Sequence, residues 1–226
     1  QAMNIHTDLP AALMRSLAVA PLNRGVAVLI RHGDRHHIPQ GEYGDECTLT
    51  EHGLARAQLL GASLPGPLSP VANSSPLRRC VQTVQAIAAG AGGTIEPTPD
   101  PLLGKPGAFV FDGPQAGPMF LERGTRQVVL DLIAGRELPG IRSCEAGSAR
   151  LLTGLLASLP AGPALRFHAS HDAIVLPFLV WATRGALRGE DWIAPLDGGL
   201  VWLDDDGPRV AWNGEVFTPP AREATC

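Results

Sequence analysis

Residues Gly25 to Arg35 read GVAVLIRHGDR: an apolar, β-branched run from Val26 to Ile30 stops at Arg31-His32-Gly33, and Asp34 and Arg35 follow. A short apolar run bounded by polar residues has the length and composition of a strand buried on both faces, as in the parallel sheet of an α/β fold. In open sheets of that kind, ligands bind just beyond the carboxyl ends of the strands. The run therefore delivers Arg31, His32 and Arg35 together to the place where a ligand would sit.

Further along the chain, Ala164 to Ala169 is a second buried strand, and it leads into Ser170-His171-Asp172. Helical patterns alternate with these strands. Asp8 to Ala20 is expected as a helix capped by Thr7, with Pro10 in its first turn, where proline is tolerated. Thr50 caps a helix that puts Leu54, Ala57, Leu60 and Leu64 on one face, and Gly66-Pro67 ends it. Pro70 to Asn73 is expected as a short strand. Ser75 is expected to cap a helix reaching about Ala89, and Thr94 to Glu96 to form another strand. Further helices are expected at Met119–Ala134, Glu145–Leu159 and Asp172–Thr183, the last interrupted at Pro177. Gly199–Leu203 and Pro208–Trp212 flank Asp205-Asp206-Gly207 as a hairpin. The alternation predicts an α/β fold, a three-layer α/β/α sandwich with a mostly parallel sheet and an antiparallel portion at the end. Pro97 to Pro118 is dense in proline and glycine and fits no regular element. It reads as an excursion from the core, and excursions of that length usually serve as lids or binding loops. The expected organisation is one domain, 1–226, with a small cap at about 97–145.

The bulk numbers bound the reading. At 226 residues with 45% hydrophobic residues the chain can bury a sizeable core. A net charge of -4 argues against a broad nucleic-acid surface, so any affinity for anions has to be local. No stretch approaches the ~20 apolar residues of a membrane span. The N-terminal apolar patch, Leu9 to Leu22, is broken by Arg15 and two prolines, which predicts a cytoplasmic protein, or a periplasmic one if a leader has been removed. The four cysteines, Cys47, Cys80, Cys144 and Cys226, are widely spaced with no CxxC pair, and free thiols are the preferred reading. His32, Asp34, His36 and His37 are close in sequence, but no second histidine pair at ligand spacing accompanies them, so no metal and no cofactor is expected.

Three element ends carry one theme. They are Arg31-His32-Gly33-Asp34-Arg35, then Ser74-Ser75-Pro76-Leu77-Arg78-Arg79, then His171-Asp172. A phosphoryl group needs such a set. Arginine forks bind its oxygens in bidentate fashion, and helix N-termini add backbone donors. A neutral histidine nitrogen can attack phosphorus. A carboxylic acid can protonate the leaving oxygen, and as carboxylate it can activate water. Arg78 and Arg79 are adjacent and cannot both face one site from a helix.

RHGxR (Arg31, His32, Gly33, Arg35), SPLxRxxQT (Ser75, Pro76, Leu77, Arg79, Gln82, Thr83) and HD (His171, Asp172) resemble the histidine phosphatase superfamily, which includes phosphoglycerate mutases and histidine acid phosphatases. The Leu49–Ala57 segment, LTEHGLARA, resembles the stretch after the first motif there. The resemblance spans roughly residues 25–203 and implies the phosphoglycerate mutase-like fold. It implies that His32 is the phosphorylated nucleophile and that Arg31, Arg79 and His171 bind the phosphoryl group. RHGDR and HD are more similar to the acid-phosphatase branch, where Arg35 would be a further phosphate ligand and Asp172 the general acid and then the base. In the mutase branch the acid is a glutamate from mid-chain, and Glu122 would fill that role. The sequence departs from the acid-phosphatase pattern in placing two histidines before Ile38-Pro39 and in being short. His37 is a further candidate near the substrate.

The expected function is a phosphatase hydrolysing a phosphomonoester through phosphohistidine at His32. The alternatives are a mutase-like phosphotransferase and a catalytically degenerate protein that binds phosphorylated ligands. A phosphorylated small molecule is favoured over a phosphoprotein as substrate, with neither nucleic acid nor membrane as partner.

Overall fold

The structure is a computed structural model that describes residues 9–39 and 41–221. Thr7 and Asp8, the expected start of the first helix, and Cys226 lie outside the described residues. The chain begins with α1 (Ala11–Leu17), β1 (Gly25–Arg31), α2 (Glu51–Ala62), β2 (Asn73–Ser74), α3 (Arg78–Gly90) and β3 (Thr98–Pro99). A single 3-10 turn at Pro101–Leu103 leads to α4 (Gly113–Arg123), α5 (Thr125–Ile133) and α6 (Cys144–Ala157). β4 (Ala164–Ser170) and α7 (Asp172–Ala182) come next, then β5 (Gly198–Asp204), β6 (Gly207–Trp212) and β7 (Glu215–Phe217).

The seven strands form one sheet in the order β3-β2-β4-β1-β5-β6-β7. β1 to β4 run parallel to one another, and β5, β6 and β7 add an antiparallel edge. β1 is central, and Val26 to Ile30 are fully buried, as expected of a strand covered on both faces. Ala27 and Leu29 face a core with Val128, Leu151 and Val175 of α5, α6 and α7. Val26, Val28 and Ile30 face the opposite core, with Leu13, Leu60 and Ile87 of α1, α2 and α3. That alternation produces the three layers.

The parallel register pairs Arg31 with Ser170, so β1 and β4 end level with one another. The backbone N–H of His32 then donates to Ser170 O at 2.9 Å. His32 and His171 are each the first residue past a strand end, and this register sets them side by side.

Several element boundaries differ from expectation for identifiable reasons. Ser75 does not cap α3, which begins at Arg78 with Leu77 as its N-cap residue. The Ser75 N–H is instead held by Ala169 O in the sheet, which frees its hydroxyl for the site. The strand expected at Thr94–Glu96 falls at Thr98–Pro99. The helix expected at Met119–Ala134 is two helices, broken at Gly124, whose φ of 77° suits glycine. α4 starts inside the proline-rich excursion because Asp112 caps it, accepting from Gln115 N, and Pro114 lies in its first turn. α7 is one helix through Pro177. β7 has no counterpart among the expected strands. Its turn is Asn213-Gly214, with φ of 53° and 84°, the backbone of a two-residue hairpin turn.

α2 and α3 meet backbone to backbone. A Cβ on Gly90 would lie 1.8 Å from Gln58 O, and one on Gly61 2.0 Å from Ile87 O. Gly90→Ala therefore has to push apart the two helices that support the Arg79 end of the fold. We expect it to cost about 1–3 kcal/mol, read as a lower Tm, while Gly93→Ala, whose added methyl meets nothing closer than 3.9 Å, stays within about 0.5 kcal/mol of wild type.

His168 on β4 is buried, with Nε2 3.3 Å from Ser158 Oγ. Burial, and the nearby Arg166, lower its pKa to about 3. Its unfolded counterpart takes up a proton near pH 6.5, so between about pH 6.5 and 3 the unfolded chain binds more protons. Stability present above pH 6.5 is therefore lost as the pH falls through that window. Urea unfolding at a series of pH values should show this, and His168→Gln should flatten the dependence.

Candidate active site

The level ends of β1 and β4 open into a cavity of about 510 Å³ lined by Arg31, His32, Arg35, Arg79, His171 and Asp172 at its polar end. The sequence motifs from three separate segments thus converge on one place. Each is positioned by a separate local cause.

His32 is held by its own strand end. Its Nδ1 lies 2.8 Å from Gly33 O. A carbonyl can only accept, so Nδ1 carries the proton and Nε2 keeps the lone pair. Gly33 N donates to Thr83 Oγ1 at 3.0 Å, and Thr83 Oγ1 donates to Arg79 O at 2.7 Å, which ties the histidine loop to α3. Gln82 Oε1 accepts from Leu49 N at 2.9 Å and anchors the returning loop. The Gln and Thr of the second motif are therefore braces. Gly53 serves the same end, since a Cβ there would lie 2.1 Å from Asp34 O.

Arg79 is buried at the start of α3, while Arg78 is exposed, as the helix geometry requires of neighbours. Arg79 Nη1 donates to Gly44 O at 2.6 Å and Nη2 to His171 Nδ1 at 3.4 Å. With Nδ1 accepting, His171 Nε2 carries the proton and donates to Ser75 Oγ at 2.9 Å. The rings of His32 and His171 meet edge to face, with centroids 5.4 Å apart. Arg31 donates through Nη1 to Ile193 O at 2.6 Å, and its Nη2 pairs with Asp172 Oδ2 at 3.1 Å. The Nε of Arg31 and of Arg79 are buried and have no partner. Arg35 donates to His36 O at 2.8 Å and lies beside Leu49 in an isolated bridge.

Asp172 is the first residue of α7. Its Oδ1 accepts from Ala173 N at 2.9 Å, and its Oδ2 accepts from Trp192 Nε1 at 3.3 Å as well as facing Arg31. Trp192 adopts φ of 34°, and the Arg126 guanidinium stacks on its ring 4.7 Å from the centroid.

The site is electropositive and its histidines are shielded from solvent. Burial lowers the His32 pKa to about 3, reinforced by Arg79 and Arg31 and opposed by the Gly33 carbonyl and Asp172. His171 is held well below the usual range by burial, then by His32 and the arginines. Both imidazoles are neutral at physiological pH. Burial pushes the neighbouring Cys80 thiol up to about 12, so it stays protonated beside His171.

Other candidates lie elsewhere. Glu122 is exposed on α4 and is not part of the cavity wall. His37 is exposed and also outside that wall. Asp34 turns to Arg56, with Oδ2 2.6 Å from Nη1. Among the described residues no group of three or more His, Cys, Asp or Glu side chains is placed to hold a metal ion, and Cys47, Cys80 and Cys144 are free thiols. Sequence reasoning misses four contributors. Ser75 reads as a cap and Trp192 as packing. Glu42 and Lys105 reach the cavity from loops that carry no periodic signal.

Comparisons with known proteins bear on the fold and on part of this site. The profile of the histidine phosphatase superfamily (branch 1) matches residues 27–104, the segment that holds Arg31, His32, Arg35 and Arg79. Among solved structures, a phosphoglycerate mutase from Bacillus anthracis superposes with a TM-score of 0.53 at 15% identity, covering 88% of this chain and 93% of that one. A mycobacterial glucosyl-3-phosphoglycerate phosphatase in complex with VO3 gives 0.54 at 19% identity, over 87% of this chain and 100% of that one. A putative α-ribazole-5'-P phosphatase from Escherichia coli gives 0.52 at 15%, over 90% and 100%. No curated protein matches the sequence. Residues 27–104 thus match the histidine phosphatase superfamily, and the chain as a whole is similar in fold to the phosphoglycerate mutase.

Proposed function

We propose that the protein is a phosphomonoesterase working through a phosphohistidine at His32. The observation that carries this reading is the tautomer of His32. The Gly33 carbonyl holds the proton on Nδ1, so the nitrogen left in the arginine-lined cavity is a neutral nucleophile. Arg31 and Arg79, each with a buried Nε–H lacking a partner, supply charge and unused donors for the phosphoryl oxygens. Arg35 completes the ring of ligands, and His171 would join it by sharing its Nε2–H between Ser75 Oγ and a phosphoryl oxygen.

In the first step Nε2 forms a bond to phosphorus and the ester P–O bond breaks. A monoester monoanion brings a proton, which Asp172 relays to the leaving oxygen. In the second step Asp172, as carboxylate, takes a proton from water. The water oxygen bonds to phosphorus, and the N–P bond returns its electron pair to His32. The contacts of Asp172 with Ala173 N, Trp192 and Arg31 hold its carboxylate at the cavity wall and support it in both roles. The exposed position of Glu122 supports Asp172 over it as the acid. The affinity with the acid-phosphatase branch rests on the RHGDR and HD motifs alone.

His32→Ala should reduce release of inorganic phosphate from a panel of phosphomonoesters by at least about a thousandfold, and acid quench of the wild type should trap an acid-labile phosphoprotein. Isomerised product without free phosphate would assign the protein to transfer instead, and unchanged hydrolysis in His32→Ala would overturn the mechanism. Trp192→Phe removes one donor to the Asp172 carboxylate and keeps an aromatic ring under Arg126. It should lower kcat about tenfold with little change in KM, the loss expected for one hydrogen bond to a charged group.

A further inference from the structure

The cavity has a second end. Beyond the phosphoryl ligands its wall comes from α4, α5 and the loop before α4, and includes Phe109, Phe120, Leu121, Val128, Leu132 and Ile174. Among the described residues, the uncharged polar side chains of this chamber are Tyr43 and Thr125, and the charged ones at its mouth are Glu42, Asp45 and Lys105. Lys105 is already ion-paired with Asp45. Two arginines close by, on α4 and α5, are committed elsewhere. Arg123 pairs with the buried Asp131, and Arg126 lies on Trp192; neither lines the cavity.

From this we infer that the substrate is the phosphomonoester of an apolar alcohol, with an aryl or branched alkyl group seated in the chamber between α4, α5 and Ile174. The inference rests on the phosphomonoesterase reading and deepens it. A polyol here would find Tyr43 and Thr125 as its uncharged side-chain partners, and each further hydroxyl left unpaired would cost about 1–3 kcal/mol. A second phosphate or carboxylate at this end would meet Glu42, and the one cation there among the described residues, Lys105, is taken by Asp45. An apolar group instead gains about 25 cal/mol for each Å² it removes from water. A volume of about 510 Å³ also accommodates both the phosphoryl group and a bicyclic ring.

Binding and turnover separate the two claims. Calorimetry on the His32→Ala protein should show 1-naphthyl phosphate binding at least about tenfold more tightly than glucose 6-phosphate or 3-phosphoglycerate. The wild type should show the same order in kcat/KM. Phe120→Ser, and independently Leu121→Asn, should shrink the naphthyl-to-glucose ratio toward one, with a thermal melt confirming that each variant is folded. Equal binding of the three esters, or tighter binding of either polar one, overturns the apolar chamber whatever the catalytic outcome. Selective binding of the naphthyl ester without phosphate release supports the chamber and overturns the hydrolytic reading alone.

Discussion

β1 and β4 pair in parallel with Arg31 opposite Ser170, and the position of the whole site hangs on that register. Parallel strands that end at the same height deliver the residues past their ends to the same face of the sheet. Here those residues are His32 and His171. A slip of one residue would turn every side chain of β1 to the opposite core and carry Arg31 away from Asp172. The fully apolar interior of β1 tolerates burial on both faces, and the register is held at its end by the His32 N–H to Ser170 O bond.

Around that register the site is a balance between desolvation and charge. Burial keeps His32 and His171 neutral, and two guanidinium groups nearby deepen the effect. The same arginines that disfavour a protonated histidine favour a bound anion. Asp172 offsets part of that field through its pair with Arg31. In the proposed mechanism an arriving phosphoryl group would compete for the same fork, so anion binding and the Arg31–Asp172 pair are coupled through one side chain. Trp192 supplies a further donor to Asp172, and its contact with Arg126 joins that carboxylate to α5.

The α4–α5 segment is a different kind of structure from the layers beneath it. α4 and α5 are short helices separated by Gly124, packed through Val128, Val129 and Leu132 onto the core that includes α7. Asp131, buried among Arg123, Arg136 and Gln127, locks them to each other. Those charges are engaged between the two helices, and the cavity face of α4 and α5 is apolar apart from Thr125.

The strands at 25–31 and 164–170, the Thr50 cap and the final hairpin were legible in the sequence because each rests on local chemistry: an apolar run, a hydroxyl at a helix start, a turn with glycine. So were the positions of His32, His171 and Asp172, because element ends are where polar residues interrupt apolar runs, while Arg79 rather than Arg78 followed from its place in the SPLxRxxQT motif. The α4 helix was not legible, since Pro114 and Gly113 occupy a helix start that Asp112 defines only once the chain has turned. Ser75 carries a capping residue's chemistry, yet sheet pairing to Ala169 claimed its backbone and gave its hydroxyl to His171. Trp192 carried no signal at all, because its partner lies 20 residues away and is reached only through the packing of α7. Local chemistry along the chain, with the motif resemblance for Arg79, was enough to set the strands and the basic and histidine side chains at the polar end of the pocket. The tautomer of His171, the contacts of Asp172 with Arg31 and Trp192, and the apolar character of the chamber came from tertiary packing. These depend on which atoms burial brings within hydrogen-bond reach, and no local pattern in the chain encodes that.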